Sequence, residues 1–364
     1  MRVEELDTPA LIVDLDIMER NLKRVQDYAS EHNLRLRPHT KTHKIPALGR
    51  RQLDLGAVGL TVAKTTEAEV MLQAKPKDLL IAYPVFGAWK LRRLAALAKQ
   101  TKVTVALDGV ESVQALAEAA DQLDFHIGVL IEFDAGLHRV GVTPDGALAT
   151  LTRAVSQSSR LEFRGLTFYP GQIKDVRNGG AAAMADLDRI VEKAVATVEA
   201  VGLFPDIVSG GSTPTLFASH HVTRLTEIRP GTYIFNDRNT WLMGACKLED
   251  CAAFVLTTVV STAVPNQMIL DGGSKTFSSD RPVFPDAEGF GYLPDAPGAK
   301  FTKMNEEHGF VQTGDYAGKW KVGDTVRVMP NHICVAVNLH EKVYGVRGEE
   351  VEEIWQVEGR GRLQ

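Results

Sequence analysis

Residues 37–44, RPHTKTHK, put two lysines, two histidines and an arginine where a short apolar run, residues 33–36, gives way to a helix. Enzymes of the α/β class place their chemistry at strand ends of this kind. A lysine held there forms a Schiff base with an aldehyde if neighbouring cations and partial desolvation keep some of it deprotonated. Lys41 is the candidate for that role, and His39 is a second catalytic candidate beside it. A solvated surface charge is the competing reading of any one lysine.

Residues 331–334, NHIC, offer a different chemistry. Residues two apart on a strand share a face, so His332 and Cys334 would present imidazole and thiolate together. Both suit a borderline-soft divalent ion. A buried cysteine beside a satisfied core histidine is the alternative.

Two glycine-bearing turns could receive an anion: SGGSTPT at 209–215 and RPGTY at 229–233. Glycine allows close backbone approach, and exposed N–H groups at a helix start favour negative charge. Gly211, Ser212, Gly231 and Thr232, with Tyr233 after them, are the candidates, against the reading that both are ordinary turns. In IEFDAGLHRVG, residues 131–141, Glu132 and Asp134 alternate onto one strand face, Gly136 opens a turn and Arg139 follows. Those charges could equally satisfy one another. Tyr169, in FYPGQ at 168–172, either meets a ligand or packs at a strand end.

Positioning these residues takes a repeating scaffold. Residues 10–15 read as a strand, and a capping box at 16–19 precedes an apolar stripe of Met18, Leu22, Val25 and Ala29. Short apolar runs recur at 57–62, 79–82, 103–107, 125–131, 162–167 and 207–208, with helical segments at 89–99, 109–120 and 182–201. Seven or eight such units in about 240 residues fit a (β/α)8 barrel better than an open sheet. From about residue 251 the runs turn strand-like, at 252–263, 267–270, 325–329 and 333–339, and a Pro- and Gly-rich loop covers 281–300. The expected fold is therefore α/β: a barrel over residues 1–245, whose first strand could join the other domain, and a C-terminal β domain over 246–364.

The 364 residues, 44% of them hydrophobic, can bury a large core. A net charge of -5 gives no footprint for nucleic acid, and no dense basic run points to a membrane surface. No stretch approaches the roughly 18 apolar residues of a membrane span, and MRVEE lacks the basic start of a signal peptide. A cytoplasmic protein acting on a small molecule is expected. Cys246, Cys251 and Cys334 read as reduced thiols.

RPHTKTHK, the SGGST and RPG turns, the 131–141 stretch and PNHICVAVNL together resemble the D-threonine aldolase and D-serine dehydratase family. These are pyridoxal-phosphate (PLP) enzymes related to the N-terminal barrel of alanine racemase, and the likeness runs over nearly the whole chain from Asp7-Thr8-Pro9. The resemblance implies that Lys41 carries PLP and Lys44 starts a helix. It puts the phosphate on Gly211, Ser212, Gly231 and Thr232, with Tyr233 nearby. It implies that Arg139 reaches the cofactor's phenolic oxygen, that Tyr169 sits in the substrate loop, and that His332 and Cys334 hold a divalent metal. Cysteine as the second ligand suits zinc over manganese, magnesium or cobalt. Relatives carry a histidine near Gln172, which this chain lacks, so the base at that position is unassigned. EEHG at 306–309 resembles a segment near the site, and DGGSK at 271–275 a structural turn. The implied activity is a lyase, in a homodimer, that splits D-3-hydroxy amino acids into glycine and an aldehyde. A zinc-dependent dehydratase acting on D-serine or D-3-hydroxyaspartate is the alternative, and a non-catalytic PLP-binding homeostasis protein is the reading from another class.

Overall fold

The computed structural model describes residues 1–176 and 179–364. It divides into two compact units, one of Arg24–Lys41, Pro46–Gly231 and Arg362–Gln364, the other of Met1–Lys23, Thr42–Ile45 and Thr232–Gly361.

The first unit is a ring of eight parallel strands: Arg35–Leu36, Leu60–Val62, Asp78–Ile81, Lys102–Leu107, Ile127–Glu132, Leu161–Thr167, Ile207–Gly210 and Glu227–Ile228. Neighbours in the sheet follow chain order, and the last strand pairs with the first. The ring closes where His39 bridges Thr61 and where Val58 and Thr61 donate N–H to the Leu36 and Pro38 carbonyls, each at 2.9 Å. This is the (β/α)8 barrel expected of the alternating runs.

Parallel strands covered on both faces read as continuous apolar runs, and every residue of Ile127–Glu132 is buried. The outer helices bury one stripe each. In Gly180–Glu199 it is Met184, Leu187, Val191, Ala194, Val195 and Val198, at the three- and four-residue spacing of one helix face. Gly165 sits at φ +135, where a side chain would collide with the Ile207 carbonyl. Glycine is required there, and the register with the preceding strand shifts beside it.

The deep interior of the barrel holds a charged layer. Arg37 donates to Glu227 at 2.9 Å and to Asp78 at 2.7 Å, Arg164 donates to the other Asp78 oxygen at 2.9 Å, and Ser209 donates to Glu227 at 2.6 Å. The flanking arginines hold the Asp78 carboxyl below its ordinary value even though burial pushes the other way.

The second unit is a nine-stranded mixed sheet. Its strand Ala10–Asp14 runs antiparallel to Ala253–Ser261 and parallel to Lys342–Arg347. Asp14 accepts from the Ile17 N–H at 3.0 Å, so the cap of helix Leu15–Glu31 is Asp14, two residues earlier than the spacing at 16–19 indicated. Asp271 receives the Thr258 N–H at 2.8 Å and the Thr8 hydroxyl at 2.5 Å, which makes the DGGSK segment a structural turn.

One expectation is corrected here. Residues 333–339 form the helix Ile333–Leu339, not a strand. The run is rich in β-branched residues, which favours a strand reading, but Ile333, Ala336 and Val337 are buried at helical spacing and His332 occupies the N-cap. Short apolar runs carry this ambiguity, and the cap resolves it.

Candidate active site

In the barrel, Lys41 lies in the short 3-10 turn Thr40–Thr42 beyond the first strand. The turn is pinned from below. Thr40 donates its hydroxyl toward the Thr61 carbonyl at 3.1 Å and the buried Glu67 at 3.2 Å, and Glu67 also accepts the Ala63 N–H at 3.0 Å. His39 accepts the Lys41 N–H at 3.4 Å and donates its own N–H to Pro230 at 2.9 Å. The lysine side chain is left exposed on a rigid base.

Tyr169 brings the barrel candidates together. The Lys41 ammonium is 6.0 Å from its ring centroid, and the Arg139 guanidinium is 4.9 Å from the same ring. Gly171 is small because the Tyr169 ring occupies the space a side chain would need. Gln172 donates to the Ala135 carbonyl at 2.6 Å, so it ties the tyrosine loop to the Arg139 loop.

Two buried charges that sequence reasoning left without a role stand in the same unit. Arg229, 9% exposed, donates to the Phe168 carbonyl at 2.8 Å, yet its buried Nε has no hydrogen-bond partner. Burial pushes the Glu132 carboxyl above its ordinary value, opposed by the charges of Arg229 and Arg139. The signal for Arg229 was its place at the head of the RPG turn.

The SGGST segment continues the seventh strand. Gly211 adopts φ +87, a conformation that favours glycine. Ser212 and Thr215 bond each other, hydroxyl to hydroxyl at 3.1 Å and Ser212 N–H to Thr215 Oγ1 at 3.2 Å. A left-handed turn of small hydroxylic residues and an orphaned guanidinium N–H fit an anionic, hydrogen-bonding ligand.

In the second unit, His332 Nδ1 lies 2.9 Å from Asp237 Oδ2. The Cys334 thiol is 3.3 Å from the Thr42 hydroxyl and 3.8 Å from that of Thr232. Charge on Cys334 drives the His332 imidazole well above its ordinary pKa; burial opposes this and the bond to Asp237 adds to it. Strand geometry is therefore not what joins the pair; a helix cap and its first turn do so. Among the described residues no group of three or more His, Cys, Asp or Glu is arranged to hold a metal. Two protein ligands leave the other positions of an ion to water or substrate, as at an open catalytic site. Tyr233 is buried beside Thr232. Lys44, also in this unit, is buried and donates to the Gly359 carbonyl at 3.3 Å, and the helix after it starts at Pro46. Glu306 and His308 lie in an exposed hairpin turn, where the Asn305 N–H meets the His308 carbonyl at 2.9 Å.

The model for the alanine racemase N-terminal domain matches residues 13–239, and that for a putative serine dehydratase domain matches residues 252–346. A 3-hydroxy-D-aspartate aldolase from Paracoccus denitrificans is 33% identical over 374 residues, covering 100% of this chain and 94% of the relative. The crystal structure of D-threonine aldolase from Filomicrobium marinum superposes with a TM-score of 0.90 at 33% identity, over 99% of this chain and 98% of that one. D-threo-3-hydroxyaspartate dehydratase from Delftia sp. HT23 gives 0.89 at 30% identity, over 98% of each chain. A structure described as a cysteine-to-alanine mutant of D-threo-3-hydroxyaspartate dehydratase in the metal-free form gives 0.89 at 29% identity, again over 98% of each chain.

Proposed function

Since this chain belongs to the alanine racemase N-terminal domain family, in the group of D-threonine and 3-hydroxy-D-aspartate aldolases that carry a second, serine dehydratase-type domain, we propose that it is a PLP- and divalent-metal-dependent aldolase cleaving D-3-hydroxy amino acids to glycine and an aldehyde. The observation that carries this reading is Lys41: an exposed amine on a pinned turn at the strand end, facing a ring that Arg139 also faces.

Bound to Lys41, PLP supplies an electron sink for a bond breaking at the substrate's α-carbon. The chain's own residues determine the rest. The Arg139 guanidinium would stabilise an oxyanion without competing for its proton, as arginine does at such sites. Tyr169 presents its ring to both the Lys41 and the Arg139 side chains. Arg229 offers its Nε–H to an acceptor. The turns at Gly211, Ser212, Gly231, Thr232 and Tyr233 receive the phosphate, and His39, whose Nδ1 accepts the Lys41 backbone N–H, stands by the lysine.

A divalent ion on His332 and Cys334, zinc above manganese, magnesium or cobalt, would lower the pKa of a substrate hydroxyl. Thiolate with imidazole is a donor set that suits zinc. A dehydratase structure in which loss of a cysteine goes with a metal-free form supports a cysteine ligand in this fold. The same structures favour the second reading, a D-serine or D-3-hydroxyaspartate dehydratase releasing a 2-oxo acid and ammonia. The match to the second domain separates both from a non-catalytic PLP carrier.

The deciding experiment incubates holoenzyme with D-threonine, D-serine and D-3-hydroxyaspartate and assays aldehyde and 2-oxo acid separately. Aldehyde and glycine in equal amounts are expected. Formation of 2-oxo acid alone would establish the dehydratase, and no product from any of them would remove the lyase reading. A cytoplasmic homodimer belongs to the same reading and is checked by fractionation and gel filtration.

A further inference from the structure

Asp237 is almost wholly buried, its side chain 1% exposed, and both its oxygens are engaged. Oδ1 accepts the Thr240 N–H at 2.8 Å and lies 3.0 Å from the Thr240 hydroxyl. Oδ2 accepts the Ile333 N–H at 3.0 Å and lies 2.9 Å from His332 Nδ1. In return the Asp237 N–H donates to the Thr240 hydroxyl at 2.7 Å, which completes a reciprocal cap on helix Arg238–Leu242.

The rotamer of Asp237 is thus fixed by its own helix independently of the contact with His332. An ionised carboxylate can only accept. Its contact with His332 is a hydrogen bond only if Nδ1 carries the proton, and the lone pair of the neutral ring then falls on Nε2. Oδ2 also caps the first turn of the helix bearing Cys334.

We propose that Asp237 is the positioning residue of the His332–Cys334 pair, holding the proton on Nδ1, presenting Nε2 as the ligand nitrogen and fixing the start of the helix that carries the thiol. A carboxylate behind a ligating histidine raises the ligand's basicity and restricts its orientation. The use of Nε2 toward a metal rests on the metal reading above; the protonation of Nδ1 does not.

The test is nitrogen-15 NMR of the His332 imidazole in the parent protein, metal-free and titrated with zinc, alongside Asp237→Asn. The parent should show a protonated Nδ1 in both states. Asp237→Asn turns an amide toward donors that need an acceptor, so it should lose that assignment and bind zinc about 10–100-fold more weakly in chelator competition. A neutral ring protonated on Nε2 in the parent overturns the proposal even if Asp237→Asn does not fold. So does a folded Asp237→Asn with unchanged zinc affinity. A parent that binds no zinc but keeps Nδ1 protonated removes the metal reading and leaves the Asp237 assignment standing.

Discussion

The barrel contains two sets of charge that differ in how they are satisfied. In the deep layer each ion has a partner of opposite sign: Arg37 bonds both carboxylates, Asp78 takes both arginines, and Glu227 adds a serine hydroxyl. Among the residues at the strand ends, Arg229 keeps a buried Nε–H without a partner, the buried Glu132 is pushed toward its neutral form, and the exposed Arg139 rests on an aromatic face. A buried polar group left unpaired costs roughly 1–3 kcal/mol. The fold tolerates that cost in the second set and avoids it in the first. The deep layer is thus part of what holds the ring together, while the second set keeps hydrogen-bonding capacity that a ligand could take up.

The sharpest way to break this contrast is to remove one charge from the ligand side of the barrel and one from the deep layer. Lys41→Ala should lower turnover by at least about 10⁴-fold, roughly 5.5 kcal/mol in the barrier, since the covalent attachment point is lost. Its unfolding midpoint should stay near that of the parent because the side chain is exposed, which urea titration checks. Arg37→Met should do the reverse. It takes the arginine partner from the buried Glu227 and one of the two from Asp78, and should cost about 3–5 kcal/mol of stability, read by the same titration.

Gly231→Val probes the ligand side more gently. A side chain on the RPG turn should weaken PLP retention about ten-fold, roughly 1.4 kcal/mol, measured by equilibrium dialysis of folded protein. The smallest effect concerns pH. Asp78 has a lowered pKa, so its contribution to stability is fully present above its ordinary 3.8 and is lost as pH falls through the folded-state value. The parent's urea midpoint should therefore drop below pH 3.8, and Asp78→Asn should flatten that slope.

Much of this was legible because it depends on local pattern. The apolar runs announced the strands of the barrel, and RPHTKTHK does lie where the first strand gives way to the turn Thr40–Thr42. What could not be read depends on contacts between distant segments. The last barrel strand, Glu227–Ile228, is two residues long and carries no periodicity of its own. Pairing with Arg35–Leu36 and with Ile207–Gly210 defines it. The Ile333–Leu339 helix was masked by β-branched residues, and its cap comes from Asp237, ninety-six positions away. Asp237-Arg-Asn-Thr240 has the spacing of a capping box, a signal that was present in the sequence and pointed to the residue behind His332.

The central claim is that Lys41, not the buried Lys44, carries the cofactor. Borohydride reduction of the PLP-loaded protein followed by peptide mass spectrometry tests it directly. The account predicts loss of the visible absorption band and a pyridoxyl modification on Lys41, with Lys44 unmodified in its bond to Gly359. Modification of Lys44, or of no lysine in residues 37–44, would contradict it.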